Sequence, residues 1–453
     1  MALIKSYRMV RKLQSKLFSK TAYIFGAATL VLSISLNANA DIHAKTDLAN
    51  VESEVHGYHA FGFSEIAIIA SFRAHGHRVY LDSLNTAKAL DAAIDELGRQ
   101  PSQSTLNAAR EAWIAARAPY SQSEVLRFIF PPIDHWDKSV NAWPLDEGLI
   151  DYLADDNEIG EDNPYGNLNI IASKNPTILG QTIDASEITP TLLRDHLHEL
   201  DSIESNVAIG YHAIEFLLWG QDNNGTARGA GNRPWTDFSL ENCSNGNCDR
   251  RFDYLKSVSI LLLENLDDME RAWREDGEIT EQIYLADQNE MIERIVKGVI
   301  SFLNAELISE RLRLPLRLQD PEHEHDCFSD QTHASLYNNL LGIRMVMMGW
   351  YPGEDNAQDA MLINLLPNFK ENYNGLYYSE EALRAIYDAG QLASHSDQAN
   401  NKDDVTMGHF DEFLNPDNMH GQSLITNAIK QLSMLSTRLV FSLNSLTNEA
   451  NTQ

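Results

Sequence analysis

Apolar residues return at three- and four-residue steps along most of this chain, while strict alternation of apolar and polar residues is scarce. That period is the helical one, so the pattern restricts the chain to an all-α fold. Leu84, Ala87, Leu90, Ile94 and Leu97 show it plainly, and Gly98 followed by Pro101 ends it. A second helix is expected over 105–128, bent at Pro119. Stretches 191–220, 252–273, 281–314, 335–349, 380–393 and 424–445 carry the same period. A chain of 453 residues exceeds one ordinary core. The expected architecture is therefore two helical-bundle domains packed together, with long irregular loops, placed at 41–255 and 256–453.

The first forty residues read differently. Lys5, Arg8, Arg11, Lys12, Lys16 and Lys20 precede an apolar run from Tyr23 to Leu36, and Ala38-Asn39-Ala40 stands before Asp41. This is the order of a cleavable signal peptide, cut after Ala40, and it predicts export of a mature chain beginning at Asp41. No later run of eighteen apolar residues occurs, so no membrane span is expected in the mature chain. The net charge is -30, although six of the 35 basic residues sit in the leader. So acidic a body repels nucleic acid and anionic membranes, which are bound through clusters of Lys and Arg, and it attracts cations.

In an oxidising compartment Cys243, Cys248 and Cys327 allow one disulfide and one spare thiol. All three pairings are open to the sequence, Cys243 and Cys248 lying close in one loop, and the favoured one is Cys248 with Cys327, which would tie distant segments. From 131 to about 190 the chain is rich in Pro, Asp, Asn and Gly and reads as a long irregular loop. Its acids Asp155, Asp156, Glu158, Glu161 and Asp162 do not have EF-hand spacing. A glycine-rich stretch from Gly220 to Pro234 lacks a P-loop signature.

His212 and Glu215 stand three apart in the apolar run from Val207 to Trp219. That step places imidazole and carboxylate on one helix face, where both can address a single ion. Burying an ionisable pair among Ile214, Phe216, Leu217, Leu218 and Trp219 is costly unless a partner or a metal compensates it. The same spacing at His196 and Glu199 lacks such surroundings. A second stripe, Trp113, Arg117, Tyr120 and Glu124, offers Glu124 as a further metal ligand, with Arg117 and Tyr120 orienting the carboxylates. Glu306 and Glu310 precede Arg311 and Arg313 and fit a salt-bridge ladder as well as they fit ligation. The stretch from His323 to His333 is dense in ligand-type residues, and Asp330 and His333 are its expected metal ligands.

These segments resemble the imelysin family, and within it the iron-regulated protein A branch. The resemblance is carried by Gly210-Tyr211-His212-Ala213-Ile214-Glu215-Phe216-Leu217-Leu218-Trp219-Gly220-Gln221-Asp222. It is supported by Ala116 to Glu124, by Trp143-Pro144-Leu145-Asp146 and by Cys327 to His333. It spans roughly residues 45 to 440 and implies two helical bundles with the Gly-x-His-x-x-Glu helix near their interface. It also implies a periplasmic or outer-membrane-associated protein that works with iron-transport components of the cell envelope. His212 and Glu215 are the motif residues it carries over.

Two functional readings follow. The preferred one is a non-enzymatic metal-binding protein for iron uptake, since imidazole plus carboxylates suits iron, with zinc or another divalent cation as an alternative cofactor. The other is a metal-dependent peptidase, in which Zn2+ activates water and Glu215 or Glu124 is the base. A zincin needs a second His four residues after the first, and Phe216 stands there.

Overall fold

A computed structural model describes residues 64–154, 163–352, 361–397 and 407–450. The leader with its Ala40 cleavage site and the acidic stretch 155–162 lie outside those residues. As the apolar period requires, helices dominate: α1 (Glu65–Arg99), α2 (Gln103–Ser123), α3 (Pro131–Asn141), α4 (Tyr211–Trp219), α5 (Cys248–Trp273), α6 (Glu278–Leu285), α7 (Gln288–Ser301), α8 (Thr332–Met348), α9 (Phe369–Asp397), α10 (Phe410–Leu414) and α11 (Met419–Ala450). Among the described residues the only sheet is a two-stranded antiparallel pair, β1 (Thr177–Ile178) and β2 (Gln181–Thr182). No helix among them is long and apolar enough to cross a membrane.

Local chemistry explains the boundaries. Ser64 caps α1 by accepting from the Ala67 N–H, and Ser102 and Thr105 form a reciprocal capping box at the start of α2. Pro119 lies within α2, and the helix runs on past it to Ser123. The buried face of α1 includes Leu84, Ala87, Leu90, Ile94 and Leu97, the residues that carried the period. α1 packs on α2 and α5, α2 on α8, α8 on α9, and α9 on α11. The expected bundle boundary at 255–256 falls inside α5, which continues unbroken from Cys248 to Trp273.

Three expectations are corrected. The stretch after 131 is not all loop, because Pro131 and Pro132 occupy the first helical positions of α3, where a missing N–H costs nothing. The helical pattern over 191–220 is interrupted. A short π-helical turn, Leu193–Leu197, gives way to left-handed residues at Glu199, Asp201 and Ser202, and helix resumes only at Tyr211. The disulfide joins Cys243 to Cys248, with Cα atoms 5.9 Å apart, and Cys327 is a buried thiol. Gly246 and Asn247 adopt positive φ and turn the short loop back on itself, which brings those two cysteines within bridging distance.

Gly210 sets the entry to α4. Its φ is +92° and its ψ -172°, a conformation reserved for glycine, and a Cβ there would lie 2.6 Å from the carbonyl oxygen of Val140 at the end of α3. The Gly210→Ala variant should therefore lose roughly 1–3 kcal/mol or more of stability through strain and overpacking. Urea denaturation would measure this, and an unchanged midpoint would refute the steric role.

Candidate metal centre

Every residue of α4, from Tyr211 to Trp219, is buried, so it is a core helix with no solvated face. Its neighbours satisfy its backbone. Trp113 Nε1 donates to Tyr211 O at 2.9 Å, and the Arg110 guanidinium donates to Leu218 O from Nε at 3.1 Å and from a terminal nitrogen at 2.9 Å. The glycine-rich loop after α4 packs back on the helix end, with Arg233 N donating to Trp219 O at 2.7 Å. Gly231 N in the same loop donates to Phe328 O at 2.9 Å, so this loop fastens α4 to the segment before α8. Arg233 and Arg251 are buried against Asp151 and anchor the loop in turn.

On this frame Nδ1 of His212 lies 2.9 Å from Oε2 of Glu215, and both residues have no exposed surface. The other Glu215 oxygen accepts from the Ser329 N–H at 3.0 Å and the Ser329 hydroxyl at 2.6 Å. Glu215 is thus held on both sides and fixes the imidazole plane. His325 and Asp326 from the same segment join His212, and ligand-type atoms of the three lie within 4.8 Å of one another. His212 and His325 rings stand 4.7 Å apart, and the Trp143 ring covers His212 at 5.0 Å. Arg117 donates to Oδ1 of Asp326 at 3.0 and 2.9 Å and to Nδ1 of His325 at 3.2 Å. Among the described residues, two buried atoms of this group have no hydrogen-bond partner: Nε2 of His212 and Oδ2 of Asp326.

The electrostatics follow from that burial. Burial, then Arg117 and Arg311, push His212 well below the ordinary histidine range. Burial, then the nearby Asp326, push Glu215 well above the carboxylate range, with Ser329 and Arg117 opposing. Burial works against a charged Arg117, but Asp326, Glu124 and Glu215 overcome it and hold the guanidinium charged. The pocket therefore disfavours any added positive charge on its histidines while gathering carboxylates, a setting that a bound cation would relieve. Burial also drives the Cys327 thiol up, which keeps it protonated and removes a thiolate from the donor set.

Of the other expected site residues, Arg117 alone bonds to this group. Glu124 is buried against Arg311, with Asn339 donating to it at 3.0 Å and Asn141 at 3.1 Å. Tyr120 donates to Asp137 at 2.7 Å rather than to the His212 group. Arg117 donates to the carboxylate of Asp326. Glu306 pairs with Arg311 at 2.8 Å and with Arg127 at 2.7 Å. Asp330 falls in a separate cluster with His409 and Asp411. His333 contacts Gln391 at 3.2 Å, and its ring stands 5.8 Å from that of His409. His325 and Asp326 are the residues that the structure brings to His212 and that were not among the expected ligands. Their signal was membership of the ligand-rich stretch 323–333, but a loop has no period to single out which members point inward.

A cleft of about 590 Å³ reaches His325 and Trp143. Asp137, Asp146, Glu147, Glu199, Glu204, Glu306, Glu310 and Glu322 line it, against Arg127, Lys138 and Arg311. The excess of carboxylates favours cations at its mouth.

A family model described as imelysin, and labelled a peptidase family, matches residues 76–439. The chain belongs to the imelysin family. Among solved structures, an iron-regulated protein A precursor from Parabacteroides distasonis ATCC 8503 shares the fold of this imelysin, with a TM-score of 0.60. The two are 18% identical, and the match covers 85% of this chain and 96% of the other. No curated protein matches the chain.

The Glu124–Arg311 pair yields a stability prediction. Burial alone would raise Glu124, but Arg311, with Arg117 and Arg127, holds it below the ordinary carboxylate range. Asp151 is likewise depressed, against burial, by Arg233 and Arg251. A depressed folded pKa stabilises above the unfolded value and is lost as pH falls through the folded one, so stability should decline progressively below about pH 4. Glu124→Gln leaves Arg311 short of a buried partner and should cost on the order of 3 kcal/mol at neutral pH. Metal affinity should stay at the parent level. A large loss of affinity with intact stability would instead make Glu124 a ligand.

Proposed function

We propose that this imelysin is an exported, non-enzymatic metal-binding protein that serves iron uptake, with His212 and Asp326 as the donors of its metal centre. The observation that carries the reading is the Nε2 atom of His212, buried and without a hydrogen-bond partner while Nδ1 is engaged by Glu215. A carboxylate on one imidazole nitrogen with a vacant second nitrogen is the arrangement that metal-ligating histidines show. Oδ2 of Asp326 is the second uncommitted donor, and His325, whose Nδ1 already accepts from Arg117, is the third group within reach.

In this reading Glu215 orients His212 and Ser329 orients Glu215. Arg117 holds Asp326 by one oxygen and leaves the other for the ion. When bound, the metal supplies the positive charge that the buried carboxylates lack. A nitrogen and oxygen donor set without thiolate suits Fe2+ or Fe3+, and also admits Zn2+. The acidic cleft at His325 provides the approach. Iron is favoured among these by the resemblance to a protein named for iron regulation, and the same likeness to a precursor accords with export, cleavage after Ala40, and a periplasmic or outer-membrane-associated location. Iron-transport components of the envelope are the partners in this proposal, and a division into two bundles is part of it.

Calorimetric titration of the mature chain with Fe2+ (anaerobic) and Zn2+ tests the assignment. His212→Ala should abolish high-affinity binding at this centre, and Glu215→Gln should weaken it about 10–100-fold while the fold persists. Parent-like binding by His212→Ala would refute the centre. Chelator-sensitive cleavage of unfolded protein substrates, lost in Glu215→Gln, would replace the carrier reading with a peptidase.

A further inference from the structure

The cleft of about 590 Å³ and the His212 group meet at a shared wall. Trp143 and His325 both line the cleft, and their rings also stand against the His212 ring, at 5.0 and 4.7 Å. Trp143 is half-buried, whereas His212 has no exposed surface. The Trp143 ring meets Phe328 edge to face at 5.7 Å, and Phe328 packs on Phe216 of α4 at 5.3 Å. An aromatic wall thus separates the cleft from Nε2 of His212, an atom sealed from solvent together with Oδ2 of Asp326.

Room is the first limit on what can reach those atoms. Ligand atoms of His212, His325 and Asp326 lie within 4.8 Å of one another, a spacing suited to donors around one ion. The Trp143 and His325 rings take up the side that faces the cleft. A chelator that stayed on the ion would have to displace the Trp143 ring from His212 and Phe328, and close-packed aromatic contacts resist that.

Charge is the second limit. Carboxylates outnumber cations along the cleft, and each Arg and Lys lining it is already engaged by a carboxylate. Arg311 pairs with Glu124 and Glu306, Arg127 with Glu306 at 2.7 Å and Asp137 at 3.5 Å, and Lys138 with Glu199 at 3.5 Å. An anionic chelate meets like charge there, while a hydrated cation meets the opposite sign.

We propose that the centre takes its ion bare, leaving water or chelator in the cleft, and that Trp143 enforces this choice. The proposal rests on the His212–Asp326 metal centre and names the form of its substrate, a free cation rather than a metal chelate. Nε2 of His212 and Oδ2 of Asp326 take positions given up by water or chelator. The exchange is of ligands alone, with no electron transferred. Trp143 is a specificity-determining residue that acts by excluding volume beside His212.

Equilibrium dialysis of the mature chain against ferric citrate, with iron and citrate separately labelled, tests which form binds. The parent should retain iron without citrate, or reject the complex while still binding aqueous Fe2+. Trp143→Ala should retain citrate together with iron, and Trp143→Phe, which keeps a ring, should resemble the parent. Citrate held by the parent in equal amount with iron would overturn the bare-ion claim. A Trp143→Ala protein that melts with the parent yet still excludes citrate would overturn the role of Trp143.

A second readout needs no metal. In the metal-free parent, diethyl pyrocarbonate should modify His212 about tenfold or more slowly than exposed His420, because only a minor open state admits it. Mass spectrometry locates the modified residue. Trp143→Ala and the milder Trp143→Leu should each lose much of that protection. Equal rates at His212 and His420 in the parent would refute the wall. Intact protection in a parent that binds neither aqueous Fe2+ nor Zn2+ would refute the metal centre, and the bare-ion claim with it, while the wall would stand.

Discussion

The contact between Nδ1 of His212 and Glu215 is the constraint around which this part of the molecule is arranged. A nine-residue helix with no solvated face carries two ionisable side chains away from bulk water. Protein groups hold both. Glu215 accepts on its second oxygen from Ser329, which fixes the segment before α8 against α4. The chain entry at Gly210 is compressed against α3, and the chain exit is fastened by Arg110 and by the glycine-rich loop. The motif glycine thus shapes the backbone, the histidine presents a donor atom, and the glutamate aims it.

Around that contact lies a buried polar network with a division of labour. Arg117 bridges Asp326, His325 and Asn141, while Arg311 takes Glu124, Glu306 and Asn339. Fully paired groups such as Glu124 stiffen the core, because breaking a buried ion pair costs far more than a surface one. Atoms without partners, Nε2 of His212 and Oδ2 of Asp326, are where ligand chemistry is to be sought.

The sequence disclosed the parts that repeat. Helical period identified α1, α2, α5 and the all-α class, and it set His212 and Glu215 on one face of α4. It failed where local geometry overrides period. Residues 191–210 have helical spacing, yet left-handed turns at Glu199, Asp201 and Ser202 break the helix. α3 was concealed because two prolines normally signal an end rather than a beginning. Glu124 read as a ligand because its partner, Arg311, is 187 positions away and nothing local announces it. His325 and Asp326 were within a recognised cluster, but which of its members face α4 depends on a loop fold.

Anomalous diffraction from crystals of the mature chain soaked in Fe2+ under anaerobic conditions tests the central claim most directly. The account predicts an iron peak at roughly 2.0–2.2 Å from Nε2 of His212, within bonding range of Asp326 and with Glu215 on the opposite ring nitrogen. A His212 Nε2 hydrogen-bonded to ordered water, with iron bound elsewhere or absent at saturating concentration, would contradict it.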